Sequence, residues 1–239
     1  MMLMNLADNS NQVFSALFTA AEEGDIDNII TQLNNGIDIN IKNDDEDTAL
    51  IKSCKNGYLN CVSLLLEKGA DVNWRSRRGF TALMYAIMGN RIDCANLLFQ
   101  YGANPNIQDH DGRTALSIAC RFRDPERANL LLHHGADIHI QGENGGTALM
   151  CASAYGHYEV LELLIQLGAD INAQNTGGNT ALIYATRASH IPCMKLLLEH
   201  GADVNIVNIV NRTVLDDSLT DEIRGLLMQY KDINDFILK

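Results

Sequence analysis

Residues 81–106 read TALMYAIMGNRIDCANLLFQYGANPN. Thr81 suits a helix N-cap, where its hydroxyl accepts a hydrogen bond from an otherwise orphaned amide of the first turn. Leu83 and Ala86 fall on one helical face, and alanine is small enough to let a neighbouring helix approach closely. A polar break follows around Gly89. A second apolar run then stops at Gly102, a position that suits a left-handed C-cap. One stretch therefore predicts two short antiparallel helices and a bend.

The same stretch recurs. TAL starts at Thr48, Thr81, Thr114, Thr147 and Thr180, TVL at Thr213 and SAL at Ser15, each 33 residues after the last. A second block keeps phase with the first: NNGIDIN, EKGADVN, QYGANPN, HHGADIH, QLGADIN and EHGADVN. A fixed period of this length marks a stacked repeat architecture. Pro125 after Asp124 and Pro192 after His190 open two of the second helices, where proline is tolerated best. Segments such as IQDHDGR and AQNTGGN join one unit to the next, and their glycines suit a tight hairpin turn.

Helix, turn, helix and hairpin at this period resemble the ankyrin repeat, whose motif runs T-P-L-H-x-A, then G-H, then L-L-L-x-x-G-A-D-V-N. Ala82 and Ala115 stand where the family has proline, and Met84, Ser117, Met150 and Ile183 where it has the first histidine. His157 and His190 keep the later histidine. The resemblance implies an all-α repeat solenoid, an ankyrin array of about six to seven helix-turn-helix units with β-hairpin fingers. It predicts a single domain over 1–239, with an N-terminal capping repeat at 1–40. Repeats follow at 41–73, 74–106, 107–139, 140–172 and 173–205, with a shortened C-terminal cap and tail at 206–239. The tail reads either as a further cap or as a short appended helix.

Composition narrows the function classes. The chain has 239 residues, 46% hydrophobic and 20% charged, in the range of an ordinary globular protein. Its net charge of −12 argues against general nucleic-acid binding and against adhesion to anionic membranes. The first residues lack the basic region of a signal peptide, and no apolar run approaches the roughly 20 residues of a membrane span. The expectation is a soluble cytoplasmic protein.

Chemistry-bearing residues give no catalytic pattern. Cys61, Cys94 and Cys193 share one repeat column, and Cys54 and Cys120 another. Same-column residues of neighbouring repeats lie farther apart than a disulfide spans, so buried reduced thiols are expected. His133, His134 and His139 are close in sequence but lack a cysteine pair at ligand spacing. Cys151 and His157 lack an orienting third group. No phosphate-cradling loop, nucleophile elbow or zinc-protease motif occurs. The expectation is a non-enzyme without metal or cofactor.

The fingers can be compared with one another. IKNDDED, IQDHDGR, IQGENGG, AQNTGGN and IVNIVNR align with WRSRRGF, which alone is both aromatic and cationic: Trp74, Arg75, Arg77, Arg78 and Phe80. The finger before it carries Asp44, Asp45, Glu46 and Asp47. In the family the first helices line the concave side. There this chain places Lys52 and Lys55, Tyr85 and Met88, Arg121 and Phe122, Tyr155, then Tyr184 and Arg187, with Arg113 closing a finger. Tryptophan, tyrosine and arginine are enriched at interface hot spots.

The resemblance and these residues together predict a monomeric protein-interaction module, an adaptor, inhibitor or targeting subunit. Its partner would be another protein with an acidic or acidic-apolar motif. A local alternative stands beside that reading: Trp74 lies flat on the neighbouring finger and the arginines neutralise Asp44–Asp47. The richness in Asn and Ile also suits a host-directed effector of an intracellular bacterium or virus. Nucleic-acid contact by Trp74 and the arginines is disfavoured by the net charge.

Overall fold

A computed structural model describes residues 16–218 and 220–237, with side chains as far as Lys231. The first part of the expected N-terminal capping repeat, residues 1–15, lies outside them. The chain divides into two compact units, one ending at His110 and the other beginning at Asp111. Within each, helices come in short antiparallel pairs, and among the described residues no strand forms.

The unit ending at His110 holds α1 (16–23), α2 (Ile26–Asn34), α3 (Ala49–Asn56), α4 (Leu59–Glu67), α5 (Ala82–Met88) and α6 (Ile92–Gln100). The unit from Asp111 holds α7 (Ala115–Ala119), α8 (Pro125–His133), α9 (Ala148–Tyr155), α10 (Tyr158–Gln166), α11 (Ala181–Arg187) and α12 (Ile191–Glu199). A 3-10 turn at Val214–Asp217 and α13 (Asp221–Ile237) complete it. First helices stack on first helices and second on second, as α3 on α5, α4 on α6 and α9 on α11.

The repeat chemistry explains these boundaries. Thr48, Thr81, Thr114, Thr147 and Thr180 all adopt extended backbone and cap their helices, accepting from the amide three residues on at 3.2–3.4 Å. The leucines and alanines that follow are buried, Leu50, Leu83, Leu116, Leu149 and Leu182 to within 1%. Each such leucine contributes on the order of 1.5–3 kcal/mol of transfer free energy. The second helices end at Gly36, Gly69, Gly102, Gly135, Gly168 and Gly201, all with φ between 81° and 90°. The expected left-handed bend is present at all six.

The expected β-hairpins reduce to tight turns. The Ser76 amide donates to Phe80 O at 2.9 Å and the Gly79 amide to Ser76 O at 2.7 Å. One closing bond at the base makes a finger without making a ladder. Gly79 has φ +79°, and a Cβ there would lie 2.8 Å from the His110 amide nitrogen. Successive fingers are tied by single backbone bonds. In the first unit these run from Arg77 N to Asp45 O (2.8 Å) and from His110 N to Arg78 O (3.1 Å).

The terminal repeat is shortened where the first helix should stand, because only the four-residue 3-10 turn forms. The Asp216 carboxylate accepts from the Thr213 amide at 2.7 Å and from its hydroxyl at 3.1 Å, which holds its pKa below the usual range. The leucine-bearing segment and the tail as far as Ile237 form one continuous helix, α13, with Ile223 and Leu227 buried.

Candidate interaction surface

The acidic finger and the cationic finger meet through Trp74, and the contact is local. Its Nε1 donates to Glu46 O at 2.8 Å, and Lys42 Nζ lies 5.2 Å from its ring centroid. The half-buried indole therefore rests on the preceding finger, as the local alternative had it. The arginines do not follow that alternative. Arg75, Arg77 and Arg78 are exposed, and among the described residues none pairs with a carboxylate. Asp47 is instead buried against Lys52 at 3.3 Å, and Lys52 also reaches Glu22 at 2.9 Å.

That ion-paired cluster is internal. Burial pushes the Asp47 carboxyl up, against the lowering charge of Lys52. Burial alone would lower Lys52, but the hydrogen bond to Glu22 and the charge of Asp47 outweigh it and hold the ammonium above its ordinary value. Lys52, expected at the docking face, is thus a positioning group at the base of the acidic finger.

Phe80, also expected there, is 9% exposed and packs on Tyr85 with ring centroids 5.3 Å apart. Tyr85 is half-buried, and burial together with the charge of Asp47 raises its phenol. Lys55 is exposed, its Nζ 5.7 Å from the Tyr85 centroid, and Met88 is open to solvent. This unit therefore brings together Lys55, Tyr85 and Met88 on the first-helix face, with three uncompensated guanidinium groups on a finger.

In the other unit, Arg121 donates from Nε to Tyr155 Oη at 3.2 Å, with its guanidinium carbon 5.5 Å from the ring. Tyr155 is exposed and stacks on His157 at 6.0 Å. Phe122 is half-buried beneath the Arg127 guanidinium at 4.4 Å. Arg113 pairs with Asp111 at 2.6 Å. Tyr184 Oη accepts from Asn175 Nδ2 at 2.8 Å. Arg187 binds the buried Asp217 at 2.8–2.9 Å, on the carboxylate that Arg212 shares at 2.9 Å. Of these, the Arg121–Tyr155 pair keeps the most open surface; Arg187 serves the terminal lock.

Sequence comparison missed two features. Asn40, Asn73 and Asn172 accept from the amides of Asp71, Asn104 and Asp203 at 2.8–2.9 Å, and Asn73 and Asn172 also donate to Gly102 O and Gly201 O. His139 stands in that column and makes no such bond, and a recess of about 230 Å³ opens beside it. The repeat alignment held the signal, because the histidine interrupts a run of asparagines. The second is the terminal finger, where Ile209 is 77% and Val210 65% exposed.

His133 Nδ1 lies 2.7 Å from Asn129 O, and among the described residues no group of three potential metal ligands gathers. Five of the six thiols are buried and Cys151 is half-buried. No helix among the described residues is long and apolar enough to cross a membrane.

Paired short helices, threonine caps, glycine bends and stacked fingers define a helical repeat array whose side-chain chemistry lies on open faces. The family description for ankyrin repeats (3 copies) matches residues 17–109 and 116–208, so the chain belongs to the ankyrin repeat family. The human ASB11 ankyrin repeat domain is similar at 25% identity with a TM-score of 0.78, over 90% of this chain and 96% of that one. The ankyrin repeat domain of Bcl-3, a member of the IkappaB protein family, is similar at 27% identity with a TM-score of 0.79, over 89% and 97%. No curated protein matches by sequence. Ankyrin repeat domains are generally protein–protein interaction modules, not enzymes.

Proposed function

We propose that the chain is an adaptor, inhibitor or targeting subunit that docks an acidic segment of another protein, with its primary contact in the unit ending at His110. The observation that carries this reading is the cationic finger. Its backbone is fixed by the bonds to Asp45 O and from the His110 amide, yet Arg75, Arg77 and Arg78 project uncompensated in a chain of net charge −12. A fixed backbone lowers the ordering cost of binding. Guanidinium groups hold carboxylates through paired, charge-assisted bonds.

Lys55, Tyr85 and Met88 supply an adjoining mixed cationic and apolar surface, which suits a motif that alternates acidic and apolar residues. Trp74 contributes by bracing the finger, and Phe80 by supporting Tyr85. The exposed Arg121–Tyr155 pair offers the other unit a contact of the same chemistry. The acidic charge and buried thiols agree with a monomer working in a reducing cytosol.

Fluorescence anisotropy with acidic peptides, each carrying one aromatic or aliphatic residue, tests the reading. Binding to the wild type should fall at least tenfold in Arg77→Glu and Arg78→Glu, and with rising salt, while the melting temperature holds. Equal binding by wild type and both variants would sink it.

A further inference from the structure

The fingers pass a backbone hydrogen bond in one direction. In the unit from Asp111, Glu143 N donates to Asp111 O, Thr176 N to Asn144 O and Ile209 N to Gly177 O, at 3.0–3.2 Å. The unit ending at His110 repeats the rule with His110 N and Arg78 O. The accepting carbonyl belongs to the residue after the donor of its own finger: Arg77 donates and Arg78 accepts, Thr176 donates and Gly177 accepts. Among the described residues Ile209 is the last donor, which makes Val210 O the next acceptor in the series, and none of them donates to it.

The side chains around that acceptor reverse the pattern of the other fingers. Arg77 and Arg78, Glu143 and Asn144, and Thr176 and Gly177 occupy the positions that Ile209 and Val210 fill here. Exposed edges of backbone are ordinarily guarded by charge. This edge carries aliphatic groups instead, 77% and 65% exposed, with Val207 at 47% beside them. Among the described residues the finger is followed by the 3-10 turn and α13, and neither covers these side chains.

We infer that the terminal finger is a second docking edge, which takes an uncharged aliphatic segment of another protein as the next finger in the series. The segment donates one backbone N–H to Val210 O and lays an aliphatic side chain on Ile209 and Val210. The same finger of a second copy cannot be the occupant, because it has no amide left to donate. Every amide from Asn208 to Thr213 is already spent: on Arg212 O, Gly177 O, Asn208 Oδ1, Asn208 O, Asn208 Oδ1 and Asp216 Oδ2 in turn. Two such edges would present acceptor to acceptor. Neutral apolar chemistry also separates this edge from the cationic finger and its acidic partner.

The probe is a capped synthetic peptide of residues 205–211, NIVNIVN, in which the Ile209 amide is free to donate. Titrated into the full chain and followed by amide chemical shifts, it should perturb Ile209, Val210 and Asn211. N-methylation of its Ile209 amide should weaken binding at least tenfold. Ile209→Asp or Val210→Asp in the protein should do the same with unchanged melting temperature, whereas Arg77→Glu should leave this binding intact. The inference is overturned if no peptide binds, or if N-methylated and unmodified peptides bind equally. It is also overturned if the full chain dimerises and Ile209→Asp abolishes the dimer, which would make a second copy the occupant.

Discussion

Trp74 Nε1 sits 2.8 Å from the carbonyl oxygen of Glu46, so the only indole in the chain is the strut between an acidic finger and a cationic one. Trp74→Phe keeps most of the ring and deletes the donor, which should cost about 1 kcal/mol. Chemical denaturation reads that loss, and an unchanged midpoint would show that the strut adds nothing to stability. Affinity for acidic peptides should fall less in Trp74→Phe than in Arg77→Glu.

Lys52, Asp47 and Glu22 form the next test. Lys52→Met removes the cation from beside a buried carboxylate and should cost roughly 3 kcal/mol. The pH dependence follows from the directions of the shifts. The ammonium is held above its ordinary value of 10.5, so its contribution is complete below that pH and is lost as pH rises through the folded value. Asp47 is raised above 3.8 by burial, so its ionisation costs stability as pH climbs from 3.8 through the folded value. Wild type should therefore lose stability at alkaline pH in a step that Lys52→Met lacks; parallel alkaline curves would refute the assignment.

His139 leaves the Asp170 amide and the Gly168 carbonyl without the asparagine that serves their counterparts in other repeats. His139→Asn should restore the rung and add about 1 kcal/mol. Hydrogen exchange at Asp170 should slow correspondingly. Exchange that does not change would mean that the recess keeps the asparagine from reaching its partners.

Two glycines with similar backbone separate strain from crowding. Gly69 has φ +90° and open space within 4 Å of where a Cβ would stand, whereas at Gly79 that carbon would meet the His110 nitrogen at 2.8 Å. Gly69→Ala should cost about 1–2 kcal/mol from left-handed backbone alone. Gly79→Ala should cost more and should also disturb the His110–Arg78 bond. Equal thermal midpoints would show that the finger can give way.

The repeat was legible because its period survives every substitution: threonine, leucine and glycine recur 33 residues apart and each has one mechanical use. The candidate surface was legible in composition only. Arg75, Arg77 and Arg78 are open, but Lys52 and Arg187 are held by Asp47 and Asp217, partners that the repeat pattern does not mark. Phe80 is covered by Tyr85, a contact set by the turn of the finger. No hairpin strand forms among the described residues; at the fingers that begin at Asn43, Ser76, Gly142, Asn175 and Asn208 one backbone bond joins the two sides of the base, too few for a ladder. His139 and the Ile209–Val210 pair were visible in the columns, and what they break becomes clear only once the backbone partners of those columns are known.

Four of the five buried cysteines have a practical consequence. Burial raises Cys54, Cys94, Cys120 and Cys193, the last to about 11, so in the closed molecule their thiolates are scarce and screened from reagents. Alkylation must wait for breathing of the surrounding helices. Two lie in the segment ending at His110 and two in the one that follows. Mass-resolved labelling would thus turn native residues into four clocks, timing how each half of the molecule comes apart.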